Sequence, residues 1–184
     1  PSLPSPKVVG SSLTSAAAAQ GVTTSVLEGD VVPGGGTVPR SDNISVNNTG
    51  DTFVEVTTDG PASANQAILK NGNLFLQEGQ ALTSPAGGTC GTFDAISGNI
   101  SGNGAFNLTL GGQTAATDSG VYWNDQLILQ EGTISTSTAF SANTPYVRFD
   151  EVRINDNDQI LMMARVNDPA IGANNLDACV VILD

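Results

Sequence analysis

The chain has 184 residues, 39% of them hydrophobic, and sets 18 acidic side chains against 6 basic ones for a formal charge of -12. That surplus repels phosphate backbones and anionic membranes, and no apolar run reaches membrane-spanning length, so neither nucleic acid nor membrane insertion is expected. The absence of His removes His-based triads, His bases and most zinc sites, and two cysteines cannot build a thiolate cluster.

A chain of this length suits one domain. With 21 Gly, much Ser, Thr and Asn and only 13% charged residues, the composition points to an all-β protein whose small polar residues fill turns and exposed strand faces. The start at Pro1, with no initiator Met, is expected of a processed secretory protein.

Residues 1–21 form an extended arm rich in Pro, Ser and Ala, in which Lys7 to Thr14 can make a strand. From Val22 to Asp184 the chain reads as one repeat domain. Val26-Leu27-Glu28-Gly29 comes first, followed by the loop Pro33 to Thr37. Asp42 to Asn47 reads as a strand and Thr52 to Thr57 as its alternating partner. A hairpin follows: Ala67 to Leu69, a turn on Asn71-Gly72-Asn73, then Leu74 and Leu76 on one face, closed by Gln77-Glu78-Gly79.

The same order returns. Pro85 to Thr89 is a loop, Asp94 to Asn99 and Ala105 to Leu110 are strands, and Val121 to Trp123 turns on Asn124-Asp125 into Leu127 and Leu129, closed by Gln130-Glu131-Gly132. A third round supplies Asp150 to Asn155, Ile160 to Val166 and the strand Asp177 to Ile182. Glu28, Glu78 and Glu131 are 50 and 53 residues apart. The period predicts about twelve antiparallel strands from three repeats, in a jelly-roll, sandwich-like or repeat-barrel arrangement.

The repeat domain opens on the second strand of a hairpin and closes on the first. Apolar strand edges seek partners, so these two half-hairpins are expected to pair, either within one chain to close a ring or between chains by strand addition. The donated apolar positions would be Val8, Val9, Leu13, Val22, Val26 and Leu27, and the acceptor edge Val180, Val181, Ile182 and Leu183.

The repeat, with Ile or Val and Asn before a turn, an alternating strand, a short hairpin and Leu-x-Leu-Gln-Glu-Gly, resembles tandem propeller-blade-like repeats of secreted and surface proteins of environmental bacteria. The half-hairpins and proline-led arm also resemble subunits of extracellular bacterial filaments assembled by donor strands. These resemblances imply an extracellular or cell-surface structural protein that polymerises with copies of itself. The alternative is a monomeric, ring-closed module that binds carbohydrate or a surface partner, and no enzymatic activity is expected.

Other residues carry narrower expectations. Glu28, Glu78 and Glu131 recur at one turn and are expected to accept backbone hydrogen bonds there; paired catalytic carboxylates would need a cleft between them. Tyr122 and Trp123, in a hairpin strand, suit core packing or sugar stacking. Asp150, Glu151, Asp156 and Asp158 concentrate oxygen ligands of the kind calcium takes; no other cofactor is expected. Asn43, Asn47, Asn99 and Asn107 each begin an Asn-x-Ser/Thr triplet and are candidates for N-linked glycan. Cys90 and Cys179 would form a disulfide in an oxidising compartment, closing a loop of about 90 residues worth roughly 4.5 kcal/mol.

Overall fold

The computed structural model describes residues 25–171 and 178–183, and every regular element among them is a β-strand. The arm, with Val8, Val9 and Leu13, and the first repeat-domain residue Val22 lie outside the described residues. A short ribbon comes first, β1 (Val31–Val32) with β2 (Gly36–Thr37). Then follow three antiparallel meanders. The first sheet has the order β3 (Arg40–Val46), β4 (Thr52–Thr57), β5 (Gln66–Lys70), β6 (Asn73–Gln77). The second runs β7 (Thr89–Gly98), β8 (Gly104–Gly111), β9 (Ser119–Trp123), β10 (Gln126–Gln130). The third is β11 (Tyr146–Ile154), β12 (Ile160–Val166), β13 (Ala178–Leu183).

The turns explain why these segments fold as meanders. Asn71 and Asn124 adopt φ of 52° and 54°, a region Asn tolerates. Each side-chain oxygen accepts from a backbone N–H at the start of the neighbouring strand, Thr52 or Gly104. At the turn between the first two strands of each sheet, Asn47, Asn99 and Asn155 behave alike. Their Oδ1 atoms accept from the N–H groups two and four residues on: Thr49 and Asp51, Ser101 and Asn103, Asn157 and Gln159.

Between sheets the chain turns at Gly29, Gly79 and Gly132, with φ of 91°, 81° and 84°. Each glycine N–H donates to a carbonyl farther along the chain: Gly29 to Val38, between β2 and β3, and Gly79 and Gly132 to Cys90 and Tyr146, in the strands that open the second and third sheets. A Cβ on Gly79 or Gly132 would stand 2.7 or 2.9 Å from a carbonyl oxygen, so glycine is required there by space as well as by φ.

The sheets lie face to face, the second in the middle. β8 is buried almost throughout because Phe106, Leu108 and Leu110 face the first sheet while Ala105 and Asn107 face the third. Phe53, Ile68 and Leu76 of the first sheet share one cluster with Ile96, Phe106, Leu108 and Tyr122. Ala105 and Val121 share another with Val152, Ile154, Ile160 and Met162. A third cluster, with Val54, Val56, Ala67 and Leu69, lies on the far side of the first sheet and is covered by Val26, Val32 and Val38.

This layering overturns the expected disulfide. Cys90 lies in β7, buried in the cluster between the first and second sheets, whereas Cys179 lies in β13 of the third; both are free thiols. The reason is topological: the strands carrying them belong to different layers. Burial pushes the Cys90 thiol up to about 12, so it is a poor thiolate. Thiol titration of the native protein should find Cys90 unreactive until unfolding, and a reducing agent should leave the melting temperature unchanged.

The Asn residues also predict a stability gradient. The Asn99 amide donates to the Asn155 carbonyl at 3.0 Å and to Asp158 Oδ1 at 2.6 Å, besides closing its own turn. The Asn155 side chain keeps its bonds within one turn. Urea unfolding of Asn99→Ala should show a loss of about 3 kcal/mol, and of Asn155→Ala a smaller one.

Candidate assembly interface

The sheets join through side chains that hold one register. Asn47 Nδ2 donates to the Asn99 carbonyl at 2.6 Å, and Asn99 Nδ2 donates to the Asn155 carbonyl. Two residues earlier, Ser45 Oγ accepts from Gly98 N–H at 2.9 Å and Ser97 Oγ from Ile154 N–H at 3.1 Å. Lys70 reaches the Gly102 carbonyl across the first gap, and Asn107 the Phe149 carbonyl across the second.

Strand registers then define equivalent positions. Phe53 pairs with Lys70, Ala105 with Trp123 and Leu161 with Ile182; two residues on, Glu55 pairs with Ile68, Asn107 with Val121 and Met163 with Val180. In the first two sheets this face is covered by the next sheet. In the third, Leu161, Met163, Val180 and Ile182 are exposed, the last two at 65% and 60%. Arg153, Asn155, Leu161 and Ile182 line a shallow groove on this face.

At the opposite end of the stack, the β3 edge of the first sheet's far side is uncovered among the described residues. Ile44 and Val46 of β3 are 74% and 66% exposed, although their counterparts Ile96 in the second sheet and Val152 and Ile154 in the third are buried. A groove beside them is lined by Ser25, Val26, Ile44, Val46 and Val54. Val26 packs on the first sheet's far side as Leu76 packs on the second sheet and Leu129 on the third. Ser25 bonds Thr52 through its hydroxyl.

Of the expected acceptor edge, Val180 and Ile182 point outward, whereas Val181 and Leu183 pack inward on the third sheet. β13 pairs with β12, and its other edge has no strand partner among the described residues. Leu27 is exposed, and its N–H donates to Asp30.

The remaining candidates are scattered. Asp150 is bound by Arg148 and Arg165, Glu151 by Arg153, and Asp156 accepts from Ile100 N–H. Asp158 is held below the ordinary carboxylate value by the Asn103 and Asn99 amides. Among the described residues no three His, Cys, Asp or Glu side chains come together as a metal site. Asn99 and Asn107 are 2% exposed with their amides used between sheets; Asn43 is exposed and bonds Glu55, and Asn47 is half-buried. Tyr122 is buried, its hydroxyl donating to the Ser84 carbonyl, and Trp123 packs between the second and third sheets.

Glu78 accepts from the Asn65 and Gln66 N–H groups. Glu131, its counterpart, is pushed up to about 7 by burial and then by the Asp118 carboxyl that stands where the first hairpin has Asn65. Buried Glu55 also rises, through desolvation. No helix among the described residues is long and apolar enough to cross a membrane. Searches of protein-family models, of curated proteins and of solved structures each find no match to this chain.

The sign of the Glu131 effect is fixed. A carboxyl raised from 4.5 to about 7 on folding gives stability that is complete below pH 4.5 and is lost as pH rises to about 7. Thermal melts across that range should show Glu131→Gln falling less than the parent protein, with the variant the more stable of the two at pH 8.

Proposed function

We propose that the protein is a non-enzymatic structural subunit, built from three tandem repeats, that assembles head to tail with copies of itself at the cell surface or outside the cell. The reading rests on one observation: the third sheet presents at β13 an edge that has no strand partner among the described residues, while Val26, at the other end of the stack, occupies the place that fourth-strand residues Leu76 and Leu129 take elsewhere. A segment ending at Leu27 would be the fourth strand of a preceding sheet. Donated to β13 of another copy, it adds main-chain hydrogen bonds along the open edge and places alternate apolar side chains on the next sheet.

Val8, Val9, Leu13 and Val22 would extend that donated segment. Asn43, exposed on β3, is the best placed of the four triplets to carry a glycan. The alternative reading, a ring-closed module binding carbohydrate or a surface partner, has less support, since the positions that recur are turn and packing residues rather than exposed polar ones.

Electron microscopy of the full chain should show linear assemblies with a subunit-sized repeat. Deleting residues 1–24 should leave the melting transition within a few degrees of the parent and abolish those assemblies. Assemblies that persist after the deletion would sink strand donation.

A further inference from the structure

We infer that a second copy of this chain covers the exposed face of the third sheet, seating its own first sheet there in the register the molecule uses twice internally. The inference adds a face-to-face contact to the edge contact proposed above and rests on that head-to-tail reading, but it involves different residues.

The evidence is a compensation of side-chain size. Across the first gap, Phe53 fills space left by two glycines: a Cβ on Gly98 would stand 2.7 Å from its ring and one on Gly104 3.1 Å away. Across the second gap the counterpart of Phe53 is Ala105, and the counterparts of the two glycines are Ile154 and Ile160, in the same cluster. Large against small has become small against large. At the ends of the stack, the same three positions are Leu161 on the third sheet and Val46 and Thr52 on the first. Medium would meet medium, and the volumes fit across a contact that the single molecule leaves open.

A second set of positions agrees. Ile68 shares a cluster with Ile96, and Val121 with Val152. The open counterparts are Val180 and Ile44, both β-branched and both exposed. The polar register continues too: Asn155 Nδ2 gives one hydrogen to Gln159 Oε1, as Asn47 Nδ2 does to Asp51, and its second hydrogen would meet the Asn47 carbonyl of the next copy, as those of Asn47 and Asn99 meet the next sheet within the chain.

One position departs from the pattern. Where Ser45 and Ser97 present a hydroxyl to the next sheet's N–H, the third sheet has Arg153, paired with Glu151. The contact between copies therefore lacks one hydrogen bond that the internal contacts have. With a charge of -12 on each copy, long-range repulsion also opposes it. Association should accordingly strengthen with salt.

The test uses full-length protein with Val180→Lys and Ile44→Glu, substitutions at exposed positions, with folding checked by circular dichroism and size read by sedimentation velocity and electron microscopy. The parent should assemble. Each variant alone should raise the concentration for half-association by roughly tenfold or more, as expected for a central interface position, and an equimolar mixture should restore assembly by pairing lysine with glutamate. Arg153→Ser should lower that concentration by supplying the missing hydroxyl.

If the parent assembles and neither charge matters, face stacking is overturned while strand donation stands. If the single variants fail but their mixture does not recover, the faces engage something other than each other, and the inference is overturned. A parent that stays monomeric at all concentrations overturns both proposals. Assembly that survives deletion of residues 1–24 but is lost in the charge variants supports stacking and removes strand donation.

Discussion

A planar amide held at one corner of every sheet governs the rest. Asn47, Asn99 and Asn155 each use the side-chain oxygen to close a tight turn, which fixes where the nitrogen points. For the first two, it points at the equivalent backbone carbonyl of the next sheet, that of Asn99 or Asn155. Apolar packing between sheets is strong but non-directional, so it sets how much surface is covered and leaves the register loose. The amide supplies direction. Because turn geometry and inter-sheet bond share one side chain, an error in the turn would shift the whole neighbouring sheet.

With register fixed by polar atoms, apolar positions are free to vary in pairs. Phe53 above two glycines and Ala105 beneath two isoleucines fill equivalent space with different residues. The Phe53 ring stands edge-on to Phe106, with centroids 5.6 Å apart, which adds an aromatic contact that the second gap does not copy. This explains why the three segments share little beyond the Asn and Gly of their turns, the recurring Glu-Gly with the Leu-x-Leu-Gln before it in two hairpins, and the alternation of their strands. The constraint acts on sums of volumes across a gap, and a sum leaves no fixed letter in either strand.

That difference decides what the sequence made legible. Hairpin turns at Asn71 and Asn124, the boundaries of β4 and β12, and the Glu-Gly turns depend on residues close in sequence, and all could be read. Which strand face meets which sheet depends on stacking order, with contacts more than 50 residues apart, so the burial of Asn99 and Asn107 was hidden behind a glycosylation triplet. The disulfide failed for the same reason. An even cysteine count says nothing about layers, and Cys90 and Cys179 sit in different ones. β2 falls inside the stretch Pro33 to Thr37 that the sequence presents as a loop, because strands of two residues, like β1 and β2, are too short for alternation to register. A signal for the open faces did exist: Leu161, Met163, Val180 and Ile182 alternate with the inward residues of β12 and β13, so these strands are apolar on both sides, as expected of a covered sheet rather than an outer one.

The two open faces differ in kind, and this limits the symmetry of any contact between copies. The face of the third sheet offers Leu161, Met163, Val180 and Ile182 with a donating amide at its corner; that of the first offers Ile44 and Val46 beside an accepting carbonyl. A two-fold pairing of like faces would set donor against donor at one end and acceptor against acceptor at the other. Only unlike faces would satisfy both the volumes and the amide, so the proposed contact would be heterologous, and heterologous contacts either close into rings or continue without limit. The acidic surplus adds a cost for every copy brought near, and the low-charge faces are the places where copies can approach closely. In the proposed assembly charge would therefore restrict where copies can meet, and the amide register would select how they meet.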